Sequence, residues 1–197
     1  MKSLILETST EKNFLIFAED GILRKAKRLP GGAELSKILP REVNSLIQGL
    51  GPIDFLAVGQ GPGSYTGIRV GAALAKGLAF GWQIPLYGFC SLKTFIPSEQ
   101  GSFAVAIDAK MGGLYLLLGE RTGEKLAFQP PQLVKPDQAI LTLQSIKNIT
   151  SPHPSDIASK LPGFLIQEKD PCLNLLTKWA FSEGFNTPLT LTYLSSP

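Results

Sequence analysis

Histidine is almost missing from this chain: His153 stands alone among 197 residues, and the cysteines number two, Cys90 and Cys172. Zinc hydrolysis draws on about three protein ligands. One histidine in the loop Ser151-Pro152-His153-Pro154 excludes a helical His pair and leaves any Ser–His or Cys–His unit to His153 alone. Two cysteines far apart make neither a disulfide framework nor a metal pair, which points to a cytoplasmic protein. Long apolar runs are lacking as well. Glycine, proline or charge interrupts each one well short of a membrane span. The start, Met1-Lys2-Ser3-Leu4-Ile5-Leu6-Glu7, passes from a brief apolar run to a carboxylate and reads as a strand, too short for a signal-peptide core. Charge is sparse: 18% of residues, with a formal net charge of +3, give little direct grip on nucleic acid. The basic cluster Arg24, Lys25, Lys27 and Arg28 reads as a solvated strand face, with a tRNA or partner patch as the alternative.

What remains is a globular composition, 44% hydrophobic, long enough to bury a core. Residues 3–8, 13–19 and 22–28 are expected as strands, with Asp20-Gly21 as a two-residue hairpin turn. Leu35, Ile38, Leu39, Val43, Leu46, Ile47 and Leu50 follow helical spacing around Pro40. A strand at 54–59, a helix at 68–80, a strand at 85–88 and a short helix at 91–95 follow. Three strands before the first helix make an α/β pattern that opens on a meander. The second half begins the same way. Val105-Ala106-Ile107-Asp108 matches Leu4-Ile5-Leu6-Glu7; seven residues on stand Tyr115 and Phe14, each opening an apolar run, and each run ends at a glycine turn. This predicts two related lobes, residues 1–99 and 100–197. Further on, 137–144 and 172–181 are expected as helices, 164–167 as a strand, and the alternating tail 189–194 as a sheet edge.

The loop Gly59-Gln60-Gly61-Pro62-Gly63-Ser64-Tyr65-Thr66-Gly67 runs into a helix N-terminus, where free N–H groups favour an anion. No Lys-Ser/Thr follows the glycines, and a third fingerprint glycine would fall on Thr66, so neither nucleotide-loop pattern is met. A tight turn capped by Ser64 or Thr66 is one reading. The other is a nucleotide contact by Gly61, Gly63, Ser64, Thr66 and Arg69. In the helix behind it, Gly67, Gly71, Ala75 and Ala79 lie four apart on one face. Small residues in a row let another backbone approach. The neighbour is either the chain's own Leu35–Ile47 helix or another subunit.

The string Gly61-Pro62-Gly63-Ser64-Tyr65-Thr66-Gly67-Ile68-Arg69-Val70-Gly71, with Ala75-Lys76-Gly77-Leu78-Ala79 behind it, resembles the signature of the TsaB (YeaZ) family. Glu7-Thr8-Ser9-Thr10, Ile107-Asp108-Ala109-Lys110-Met111-Gly112 with Tyr115, and Pro188 with Tyr193-Leu194 resemble further blocks of that family in the same order. The departures are Gly32-Ala33-Glu34 in place of His-Ser-Glu, Glu7 in place of Asp, and a shortened C-terminal lobe. The resemblance implies an α/β actin/Hsp70/sugar-kinase-like (ribonuclease H-like) fold of two related lobes. It implies a non-catalytic subunit that supports a catalytic TsaD-type paralogue in tRNA threonylcarbamoyladenosine modification. A TsaE-type ATPase and tRNA would be met through that complex. No cofactor is implied for the chain itself; ATP or ADP and magnesium would enter only in the assembly. The partner face implied on the two helices is Leu35, Ile38, Leu39, Gly67, Ile68, Gly71, Ala72, Ala75 and Ala79. It predicts that Ala75→Trp or Gly71→Leu abolishes the complex while the chain stays folded. A homodimer through the same face and an ATP-hydrolysing enzyme of this fold, using Glu7 and Asp108, are the alternatives.

Overall fold

The computed structural model describes residues 1–110, 112–181 and 189–190, in two units. In the first, β1 (Lys2–Glu7), β2 (Phe14–Glu19) and β3 (Ile22–Arg28) form an antiparallel meander. Asp20 and Gly21 both take positive φ, 50° and 73°, the conformation a two-residue hairpin needs to match strand twist. Arg24 is the extra residue where the β2–β3 register shifts. Then come α1 (Leu35–Ile47), β4 (Phe55–Gly59), α2 (Tyr65–Trp82), β5 (Leu86–Phe89) and a 3₁₀ turn (Ser91–Phe95) that opens at the end of this unit. The sheet order is β3-β2-β1-β4-β5, with β4 parallel to both β1 and β5.

β1, β2 and β4 are buried on both faces, so they read as continuous apolar runs without alternation. On one face Leu4, Leu6, Leu15, Phe17, Leu56 and Val58 pack with Leu35, Leu39, Val43 and Leu46 of α1 and Ala75 and Ala79 of α2. The helical spacing expected for 35–50 is thus met, and Pro40 sits on the exposed side of α1.

The second unit contains β6 (Gly101–Asp108), β7 (Leu114–Thr122), β8 (Lys125–Phe128), β9 (Gln132–Val134), α3 (Pro136–Leu143), β10 (Asn148–Ser151), α4 (Pro154–Ile157) and β11 (Ile166–Glu168). Its sheet order is β11-β10-β6-β7-β8, with β9 added against β7. β6, β7 and β8 repeat the antiparallel meander, and β10 and β11 run parallel to β6. Order and directions therefore repeat those of the first unit, as the duplicated hairpin predicts. One register differs: Glu7 pairs with Phe14, but Asp108 pairs with Leu114, not Tyr115, because the second hairpin loop is one residue shorter.

The expected division at residue 100 does not hold. The chain leaves the first unit at Ser91 and returns to it at Cys172. There α5 (Leu173–Trp179) lies on the other face of the first sheet, where Leu176 and Ala180 join Ile5, Phe14, Ile16, Phe55 and Ala57. Of the expected tail strand, only Leu189 and Thr190 are described. Leu189 packs on the first core, and the Thr190 N–H donates to Gln60 Oε1 at 3.4 Å. Pro188, residues 191–194 and Met111, part of the resemblance, lie outside the described residues.

Candidate functional site

Around the N-terminus of α2 the four-residue spacing of small side chains has an internal cause. Thr8, just past β1, is pressed into the helix. Its carbonyl oxygen lies where a Cβ on Gly67 would stand, and its hydroxyl where one on Gly71 would stand. That hydroxyl donates to the Gly67 carbonyl at 2.8 Å. Gly63 is held to glycine the same way by the Ser9 carbonyl. The Ser9 carbonyl also accepts from the Ser64 N–H at 2.6 Å. Ser64 is the helix cap: its hydroxyl accepts from the Gly67 N–H at 3.2 Å, one of the two caps the sequence offers. The Gly61 N–H donates to Ser91 Oγ at 3.1 Å, across the cis Gly61–Pro62 turn.

The predicted partner stripe is therefore interior. Gly67, Ile68, Gly71, Ala72, Ala75 and Ala79 are buried within their own unit, as are Leu35 and Leu39, and Ile38 is half-buried. Narrow side chains on this face make room for Thr8 and for the core of the same lobe. Among the two neighbours the spacing leaves open, the structure gives the chain itself. Ala75→Trp and Gly71→Leu thus become core-disrupting changes rather than clean tests of binding. The outward face of α2 carries a second small-residue row, Ala73, Gly77 and Gly81. Nothing lies within 4 Å of where a Cβ on Gly77 or Gly81 would stand. Beside them Phe80 is 87% exposed and Trp82 37%.

The candidate nucleotide residues gather at this helix end, and the N–H groups of two of them, Gly61 and Ser64, are committed. Gly61, Ser64 and Gly67 N–H groups have the internal acceptors named above. Thr66 is exposed, and the Arg69 guanidinium lies over the Tyr65 ring, 3.9 Å from its centroid.

The two acids that close the first strands of the lobes have different surroundings. Glu7 is fully buried; Oε1 accepts from the Ser9 N–H at 2.6 Å and Oε2 has no partner. Burial pushes its proton affinity up, opposed by the Ser9 hydroxyl and N–H, the Ser91 hydroxyl and the Thr8 N–H. Asp108 makes the same local bond, accepting from the Lys110 N–H at 2.8 Å, and adds an ion pair with Lys160 at 2.5 Å. Partial burial pushes the Asp108 carboxyl up, but Lys160 and the Lys110 N–H outweigh it and hold it below the usual range. Lys160 also donates to the Gly113 carbonyl at 3.1 Å. Sequence reading missed Thr8, Ser9, Ser91 and Lys160 as partners; nothing in their spacing links them to α2 or Asp108. His153 Nε2 is buried with no hydrogen-bond partner among the described residues.

Residues 35–176 match the family model TsaD, tRNA N6-adenosine threonylcarbamoyltransferase. The chain is 33% identical over 159 residues to the tRNA threonylcarbamoyladenosine biosynthesis protein TsaB of Haemophilus influenzae, covering 72% of this chain and 67% of that one. It is 35% identical over 123 residues to the Escherichia coli protein of the same name, spanning 58% of this chain and about half, 53%, of the relative. YeaZ from Pseudomonas aeruginosa superposes with a TM-score of 0.76 at 19% identity, over 96% of this chain and 99% of that one, and shares its fold. Signature, duplicated sheet topology and these matches agree: the chain belongs to the TsaB/YeaZ family.

Proposed function

We propose that this chain acts in tRNA threonylcarbamoyladenosine biosynthesis as a non-catalytic subunit that binds and supports a TsaD-type catalytic paralogue. The observation that carries the reading is the outer face of α2. Phe80 stands 87% exposed beside the open notches of Gly77 and Gly81. A large aromatic next to bare backbone is the pattern of an anchor and a close-approach groove, and such anchors dominate binding energy. The partner is the paralogue because the relatives are named for this pathway and the family model is that of the transferase. A TsaE-type ATPase and tRNA are reached through it.

The rival, an ATP-hydrolysing enzyme acting alone, needs carboxylates to hold a metal and donors for phosphate. Asp108 is engaged by Lys160, Glu7 is enclosed in the core, and three N–H groups of the glycine loop have internal acceptors. These commitments favour the subunit role.

The test is to mix the full chain with a TsaD-type paralogue and measure complex mass by light scattering. The parent is expected to form a complex. Phe80→Asp or Gly77→Leu is expected to weaken it by at least about tenfold, roughly 1.4 kcal/mol, with no loss of melting temperature. Equal binding by both variants would remove this face from the proposal, and absence of any complex with the parent would remove the role. A parent homodimer lost with the same variants would mean that a second copy covers this face.

A further inference from the structure

The carboxyl of Glu7 occupies a sealed position. β4 closes one side, where a Cβ on Gly59 would overlap both of its oxygens. The groups that face it are uncharged: Thr8 and Ser9 from its own loop, Gly59 from β4, Ser91 from the 3₁₀ turn, and Phe14 across the ladder. Glu11 and the buried Lys12 are the titratable residues of the same loop, and the groups that act most strongly on the Glu7 carboxyl are the uncharged Ser9, Ser91 and Thr8. A carboxylate here would be an enclosed charge with no cation among the described groups that face it, and burial outweighs the hydrogen bonds that Ser9, Ser91 and Thr8 offer it, so the neutral acid is favoured.

The two residues that follow hold α2 in place. Thr8 fills the notches of Gly67 and Gly71 and bonds the Gly67 carbonyl, and Ser9 accepts from Ser64 at the helix cap. Through its bond to the Ser9 N–H, the Glu7 side chain fixes where that pair sits. We infer that Glu7 is a proton-operated latch on α2: as a neutral acid it stays in the core and seats Thr8 and Ser9 against the helix, and once ionised it is drawn toward water and unseats them. The latch concerns the chain alone and stands apart from the partner assignment.

The sign follows from burial. Glu7 holds its proton more tightly in the fold than in the unfolded chain. Its contribution is complete below the ordinary carboxylate value and is lost as pH rises through the folded-state value.

Two measurements on the full chain test this. In a ¹³C titration, the Glu7 Cδ is expected to show the neutral acid at mildly acidic pH and to ionise only above the ordinary carboxylate range. In hydrogen exchange, residues 65–82 are compared between the parent and Glu7→Gln at equal pH, so that intrinsic exchange cancels. The ratio of parent to variant rates is expected to grow as pH rises above the ordinary carboxylate value, by up to about tenfold per unit, and to level off once Glu7 is ionised in the fold as well. A Cδ that titrates like an ordinary glutamate, or a rate ratio that ignores pH, overturns the latch. Should Glu7→Gln fail to fold, the Cδ titration of the parent decides.

Discussion

Glu7 and Asp108 occupy the same place in the two lobes: each ends the first strand of a meander, which is the middle strand of its sheet order, and each accepts a bond from the N–H two residues on. Their chemistry is nevertheless opposite. Asp108 has Lys160 beside it and is held ionised, while Glu7 is enclosed by neutral groups and retains its proton more tightly. Shared topology places a carboxyl; the residues that close over it decide its charge. The difference also gives the lobes opposite pH limits. The Asp108–Lys160 contribution is present above the ordinary aspartate value and fades as pH falls through the lowered one, whereas the Glu7 contribution fades as pH rises.

The largest expected break in the comparison comes from Gly71→Leu. It drives a branched side chain into Thr8, and we expect a loss of about 3 kcal/mol in urea unfolding or outright failure to fold. Unchanged stability would mean that Thr8 does not wedge the helix. Next, Lys160→Met strips Asp108 of its partner. Stability near neutral pH should fall by about 1 kcal/mol, and the acid limb of a melting-versus-pH curve should flatten while the alkaline limb persists. A flattened alkaline limb in that variant would show that the two acids are not independent. The smallest effect is expected of Gly77→Ala on the open face of α2. It should leave the pH curve alone and raise stability by up to about 1 kcal/mol in thermal melts, because no neighbour opposes the methyl and the helix gains propensity.

The strands of both meanders, the Asp20-Gly21 turn, α1 and α2 are legible from residue spacing, because burial on a sheet or helix face imposes a period. The orientation of α2 is not. Small residues form two rows, Gly67-Gly71-Ala75-Ala79 and Ala73-Gly77-Gly81, and a helix apolar on most sides carries no moment sharp enough to rank them. What turns the first row inward is Thr8, a contact 59 residues away in sequence from Gly67. β10 and α4, four residues each, are too short to display a period. Glu7 looks like an acid leaving a strand for solvent, and only the closure by Gly59 and Ser91 makes it interior. The return of α5 to the first sheet leaves no local trace, since its apolar residues would suit either lobe.

That return has a consequence for synthesis on the ribosome. One face of the first sheet stays bare until Leu176 and Ala180 emerge, although every strand beneath them was made at the outset. The stretch from Leu92 to Pro171, which holds every described element of the second unit, has been made before then. Translation order and maturation order are thus reversed in this polypeptide: the lobe made first is the lobe finished last, and its oily underside is chaperone-accessible for most of elongation.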